Sequence, residues 1–162
     1  MRKYIVYGFF LIGLLLTPSI AAQRNNVKST VNPDAVLATG WYVINETEGT
    51  IERKLIQKDS SYHLMTKPIV LWSDVETMRL VNHEKFNYAA ILIALKRDKI
   101  EQLKEEKSPS EKTQWGLVVD NELVLVQSID RQRFSGNFQI SAQDSIEWLE
   151  ELYENLKLID SK

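Results

Sequence analysis

The sequence predicts an α+β domain in which an antiparallel-rich mixed β-sheet carries two or three helices packed mainly on one face. Three observations predict it. Residues 114–128 read as strand, tight turn, strand, with Trp115-Gly116-Leu117-Val118-Val119 and Leu123-Val124-Leu125-Val126 on either side of Asp120-Asn121. Residues 88–95 are Tyr88 followed only by aliphatic side chains, the pattern of a strand covered on both faces or central in its sheet. Near the C-terminus Ile146, Leu149, Leu152, Tyr153 and Leu156 form one stripe of an amphipathic helix, opposite Glu147, Glu150, Glu151 and Glu154.

With 44% hydrophobic and 26% charged residues in a length of 162, the chain has the composition of one globular domain rather than of a disordered tail. Its start has another pattern. Arg2 and Lys3 precede an apolar run over 4–16, and Pro18-Ser19-Ile20-Ala21-Ala22 supplies small residues for cleavage. This is the plan of a secretory signal peptide over residues 1–22, its apolar run shorter than the about 20 residues that span a bilayer, the alternative being an uncleaved N-terminal anchor. Residues 23–38 are polar around Pro33 and read as a flexible linker, leaving 39–160 as the folded domain. No later run is long enough to span a membrane, so the exported product, periplasmic or extracellular, is expected to have no membrane span after signal cleavage. There is no cysteine, so neither a disulfide nor a lipid-modified cysteine is available, and the core alone must hold the domain. The net charge of −2 falls to −4 when the two positive charges of Arg2 and Lys3 are removed, which argues against nucleic acid as a partner.

In chain order, Gly40-Trp41-Tyr42-Val43-Ile44 reads as a first strand, and Asn45-Glu46-Thr47 after it matches a glycosylation acceptor. Residues 50–57 alternate weakly, Ser61 to Met65 is a short strand, and Pro68 breaks the chain before Ile69-Val70-Leu71. Ser73 and Glu76 have capping-box spacing, and Val75, Met78 and Val81 recur at helical intervals, so a short helix is expected over 74–81. The apolar run at 88–95 is expected as a central strand, the alternative being a helix. Asp98 is expected to cap a helix that buries Ile100 and Leu103 and ends at Ser108-Pro109-Ser110. Asp120-Asn121 suits the positive φ of a type I′ hairpin. Ser141, with Asp144 three residues on, is expected to cap the last helix.

Chemistry-bearing patterns are sparse. The two histidines, His63 in a strand and His83 in an expected loop, lack ligand spacing, so no metal is expected. There is no Gly-x-Ser-x-Gly elbow, no cysteine nucleophile and no phosphate-binding glycine loop, so no catalytic residue and no cofactor are expected. Glu105-Glu106 and Glu150-Glu151 fall on polar helix faces as solvated acids. Trp41, Trp115 and Trp148 read as core or core-edge residues, and Trp72 as packing beside a cap. Arg131, Arg133 and Phe134 form the one candidate partner contact: two guanidinium groups beside an aromatic ring suit a peptide or an acidic partner. The competing reading is a solvated loop with Phe134 tucked into the core.

Several of these segments together resemble a known family. Lys67-Pro68-Ile69-Val70-Leu71 with Ser73-Asp74-Val75, then Leu117-Val118-Val119-Asp120 with Leu123-Val124, then Phe134-Ser135-Gly136-Asn137-Phe138 leading into residues 141–146, follow in order the head part of the large periplasmic domain of SecD. SecD, with SecF, is an integral-membrane accessory of the protein-export translocase. The resemblance covers residues 40–158. It departs at Asn121, where the family has a turn glycine, at Val126-Gln127-Ser128, where the family has a proline, in lacking the glycines before the Gly136 motif, and in having no counterpart of the membrane helices. The resemblance implies a free-standing exported head domain that contacts polypeptide and carries no catalytic residue. The expected function is therefore a non-catalytic binding module for polypeptide or an envelope protein. The alternatives are a small extracytoplasmic hydrolase with a dispersed site, or a structural or inhibitory subunit of an envelope complex.

Overall fold

The computed structural model describes residues 35–45, 50–56, 58–83, 88–106, 112–141 and 145–160. The expected signal peptide, most of the expected linker, Glu46 and Thr47 of the acceptor triplet and Ser108-Pro109-Ser110 lie outside the described residues. The elements run β1 (Gly40–Val43), β2 (Thr50–Lys54), β3 (Ser61–Met65), β4 (Val70–Leu71), a 3₁₀ turn (Trp72–Asp74), β5 (Val75–His83), β6 (Tyr88–Leu95), α1 (Arg97–Glu105), β7 (Lys112–Val119), β8 (Glu122–Asp130), β9 (Asn137–Ser141) and α2 (Ile146–Asp160). This is an α+β fold with antiparallel sheets.

The strands form a four-stranded sheet in the order β4-β1-β7-β8, a β2-β3 ribbon and a three-stranded sheet β5-β6-β9. Every strand pairing is antiparallel, and a lone bridge between Leu55 and Leu123 is parallel. The four-stranded sheet is the middle layer, because alternation along its strands sends apolar side chains to both faces. On one face Trp41, Trp115, Leu117 and Val119 join Ile91, Ile93 and Leu95 of β6, Phe138 and Ile140 of β9, Leu103 of α1 and Leu149, Leu152 and Leu156 of α2. On the other, Tyr42, Val118 and Leu123 pack on Leu37, Ile51, Leu55 and Leu64. Both helices thus sit on one side of this sheet and the β2-β3 ribbon on the other.

The apolar run at 88–95 is the central strand of its sheet, with β5 and β9 as neighbours. The helix expected over 74–81 is instead strand β5, paired with β6 from Val75↔Leu95 to His83↔Tyr88. Its burial has period two: Met78 and Leu80 pack on the core while Thr77 and Arg79 face water. β6 offers a full row of backbone groups, and pairing with it outweighs one capping box. The acid that acts locally is Asp74, whose carboxylate accepts from the Leu71 N–H at 2.9 Å. His83 accordingly ends a strand rather than lying in a loop.

Two helix starts also differ from expectation. Lys96, not Asp98, is the N-cap of α1, and Asp98 lies in its first turn, accepting from the Lys99 N–H at 2.9 Å. Ser141 ends β9, and the cap of α2 is made by Ser145, whose Oγ accepts from the Trp148 N–H at 3.2 Å. Ser141 is held back by its pairing with Ala90, so the chain reaches the helix four residues later. The hairpin matches its expectation: Asp120 and Asn121 have φ of 48° and 70°.

Candidate functional site

β8 is the last strand of the four-stranded sheet, and β9 the last strand of the three-stranded one. The two follow each other in the chain, and a groove opens between them. Its volume is about 660 Å³, and its lining includes Val124, Leu125, Val126 and Gln127 from β8, Gln139 and Ser141 from β9, and Trp148 at the start of α2. Leu55 and Lys58 also line it.

Successive strand residues point to opposite faces, so a cavity lined by four in a row meets the strand edge-on. The register says which backbone groups lie along that edge. The Gln114 carbonyl accepts from Ile44 N–H, so Gln114 faces β1 and its neighbour Trp115 faces β8. Trp115 is opposite Gln127, which makes that a hydrogen-bonded pair. Val126 and Ser128 therefore turn their N–H and C=O groups outward, along the groove. Leu117 pairs with Leu125 and Val118 with Leu123, so Val124 is the extra residue of a β-bulge. The bulge puts Val124 and Leu125 against the core beneath α2, while Leu123 and Val126 face the opposite core.

The neighbouring polar groups differ in their bonding. Gln139 Nε2 donates to Tyr88 Oη at 2.5 Å and to Ser141 Oγ at 3.0 Å. Gln127 Nε2 is buried with no hydrogen-bond partner among the described residues. Trp148 is held in place by the Ser145 cap, and the same serine donates to Glu147 Oε2 at 2.9 Å. The Glu147 N–H and that hydroxyl hold the Glu147 carboxyl below its ordinary value. A second cavity of about 240 Å³ shares Val124 and Trp148 with the groove and continues it past Asp120, Glu122 and Glu151. At Leu123 the edge is already occupied, since the Ile56 N–H donates to the Leu123 carbonyl at 3.1 Å.

The three contact residues expected from the sequence lie just beyond the groove, in the β8–β9 connection, with different surroundings. Arg131 has a side chain only 14% exposed; it meets Glu106 at 3.0 Å and the Leu103 carbonyl at 3.5 Å, tying the loop to α1. Phe134 is half-buried, its ring 5.6 Å from Trp115 and 4.9 Å from Phe138. Arg133 stands in water with a side chain 88% exposed, 3.6 Å from Asp130. His63 is exposed on the β2-β3 ribbon within 3.5 Å of Thr50 Oγ1, and among the described residues no group of three His, Asp or Glu gathers at metal-binding distances. The groove leaves no single signature in the sequence because its lining comes from four separated segments. The local signal available was Gln127, an amide closing an apolar run.

No family model and no curated protein matches the sequence. Among solved structures, the crystal structure of SecDF in its super-membrane-facing form matches with a TM-score of 0.53 at 15% identity, over 72% of this chain and 18% of that one. Among the described residues no helix is long and apolar enough to cross a membrane. At that identity the likeness is one of architecture: this chain has a fold similar to part of SecDF, and spans under a fifth of its length.

Proposed function

We propose that this protein is an exported, non-catalytic binding module that holds extended polypeptide, either an unfolded chain or a segment of an envelope protein. The observation that supports this reading best is the open edge of β8 beside a groove of about 660 Å³, within the range of about 300–1,000 Å³ usual for ligand sites. An exposed sheet edge supplies a row of backbone donors and acceptors that bind a strand whatever its sequence. The likeness to SecDF in fold, and a sequence start that reads as a secretory signal, support an extracytoplasmic setting. Of the three loop residues, Arg133 is the one positioned to touch a partner without unpacking the core. The test is titration of the purified protein with fluorescent unstructured peptides, followed by anisotropy. Saturable binding is expected; its absence across a varied peptide set would remove the proposal.

A further inference from the structure

The groove has one charged lining residue, Lys58, and the smaller cavity that shares Val124 and Trp148 with it has three, the carboxyl-bearing Asp120, Glu122 and Glu151. The groove lining also holds the apolar Leu55, Val124, Leu125 and Trp148 and the amide of Gln127, buried and without a partner among the described residues. The chain itself begins a strand along this edge: Leu55 bridges Leu123 in parallel, and the Ile56 N–H bonds the Leu123 carbonyl before the chain turns back to β3. Beyond that point the outward groups of Val126 and Ser128 continue the same line with no neighbouring strand among the described residues.

Resting on the polypeptide-binding reading above, we infer that the β8 edge from Val124 to Gln127 takes an incoming peptide as a fifth strand of the four-stranded sheet, and that the favoured occupant is basic. It is an extended segment with apolar side chains for the Trp148 and Val124 wall and a Lys or Arg reaching Glu122 and Glu151. Strand pairing needs the outward N–H of Val126, while Gln127 Nε2 is placed to donate to a peptide carbonyl. Four paired residues span roughly 13 Å at about 3.3 Å each, which sets the length of the recognised segment.

The experiment uses three fluorescent peptides on the purified protein. One has a Thr-Val-Thr-Val centre with lysine at both ends, the second carries glutamate at both ends, and the third is the lysine peptide with alternate amides N-methylated. The lysine peptide is expected to bind about five-fold tighter than the glutamate peptide, the effect of a few exposed charge pairs. N-methylation is expected to weaken binding about ten-fold, since it removes strand hydrogen bonds. Val126→Pro is expected to match that loss, because it deletes an outward N–H and no β7 bond, a position edge strands tolerate. The methylated peptide makes the same test without altering the protein. Equal binding of the methylated peptide, or of the glutamate peptide, overturns the inference. If unstructured peptides bind saturably but ignore both changes, polypeptide binding stands and this site falls; if no peptide binds, both fall. Self-association abolished by Val126→Pro would make a second copy the occupant and also overturn it.

Discussion

Arg53 holds Asn121 from two sides: its Nη2 donates to Asn121 Oδ1 at 3.0 Å and its Nε to the Asn121 carbonyl at 3.3 Å. The same Oδ1 accepts from Leu37 N–H at 2.9 Å, and Arg53 Nη2 also donates to the Ala35 carbonyl at 2.6 Å. The hairpin turn thus anchors both the β2-β3 ribbon and the first described residues. This explains why asparagine stands where a glycine would meet the positive φ more easily. Asn121→Gly keeps the turn and loses the acceptor, so a loss of about 1 kcal/mol is expected, read by urea denaturation. A variant as stable as the parent would show that the clamp contributes nothing.

Trp41 and Phe138 stack at 4.1 Å between ring centroids with planes 11° apart, joining the four-stranded sheet to the three-stranded one. Phe138 is 2% exposed and also meets the rings of Trp115 and Phe134. Phe138→Ala should destabilise by about 3–5 kcal/mol, and Phe138→Leu by clearly less. Equal losses for the two in chemical denaturation would contradict this packing.

Gly136 has φ of +85°, and a Cβ there would run into the side chain of Ile100 on α1. Gly136→Ala therefore combines backbone strain with a clash, and a loss of about 1–3 kcal/mol is expected. Adding Ile100→Ala should restore only the steric part. The melting temperatures of the single and double variants separate the two effects.

The acid sensitivity of α2 follows from Ser145 and Glu147. The Glu147 carboxyl is depressed, first by its own N–H and then by the Ser145 hydroxyl. A depressed carboxyl contributes stability that is present above its unfolded value and is lost as pH falls through the folded one. Glu147→Gln should therefore be less stable than the parent near neutral pH, with the difference closing as pH falls below the ordinary value of 4.5. Thermal melts between neutral and strongly acidic pH check the sign. Ser145→Ala should cost about 1 kcal/mol through loss of the cap and should bring the pH dependence of Glu147 back towards normal.

The loop pair Arg131 and Arg133 should separate structure from binding. Arg131→Ala removes the link to Glu106 and the Leu103 carbonyl and should lower stability by about 1 kcal/mol. Arg133→Ala should leave the denaturation midpoint unchanged and, on the proposed function, weaken the binding of an acidic peptide. A stability loss from Arg133→Ala would place it with Arg131 instead.

The strands at 40–44, 61–65 and 88–95, the hairpin around Asp120-Asn121 and the stripe of α2 were legible because each rests on local signals: apolar alternation, turn chemistry and helical spacing. Residues 75–83 were not. Val75, Met78 and Val81 fit a helical interval, while Met78 and Leu80 fit a strand interval equally well, and the apolar β6 alongside decided between them. The cap of α2 falls at Ser145 rather than Ser141 for the same kind of reason, since Ser141 pairs in β9 and Ser145 is left for the helix. Arg131, Arg133 and Phe134 are adjacent in sequence, yet one ties down α1, one points to water and one packs on Trp115.

By itself, the sequence determined the α+β class, the central place of residues 88–95 and the positive-φ turn, because period, capacity for φ and apolar content are properties of short stretches. Tertiary structure alone decided that β8 and β9 end separate sheets, that Val124 bulges, and that Gln127 and Trp148 face one groove. Strand pairing joins residues far apart in the chain, and whether an edge stays open depends on what every other segment does.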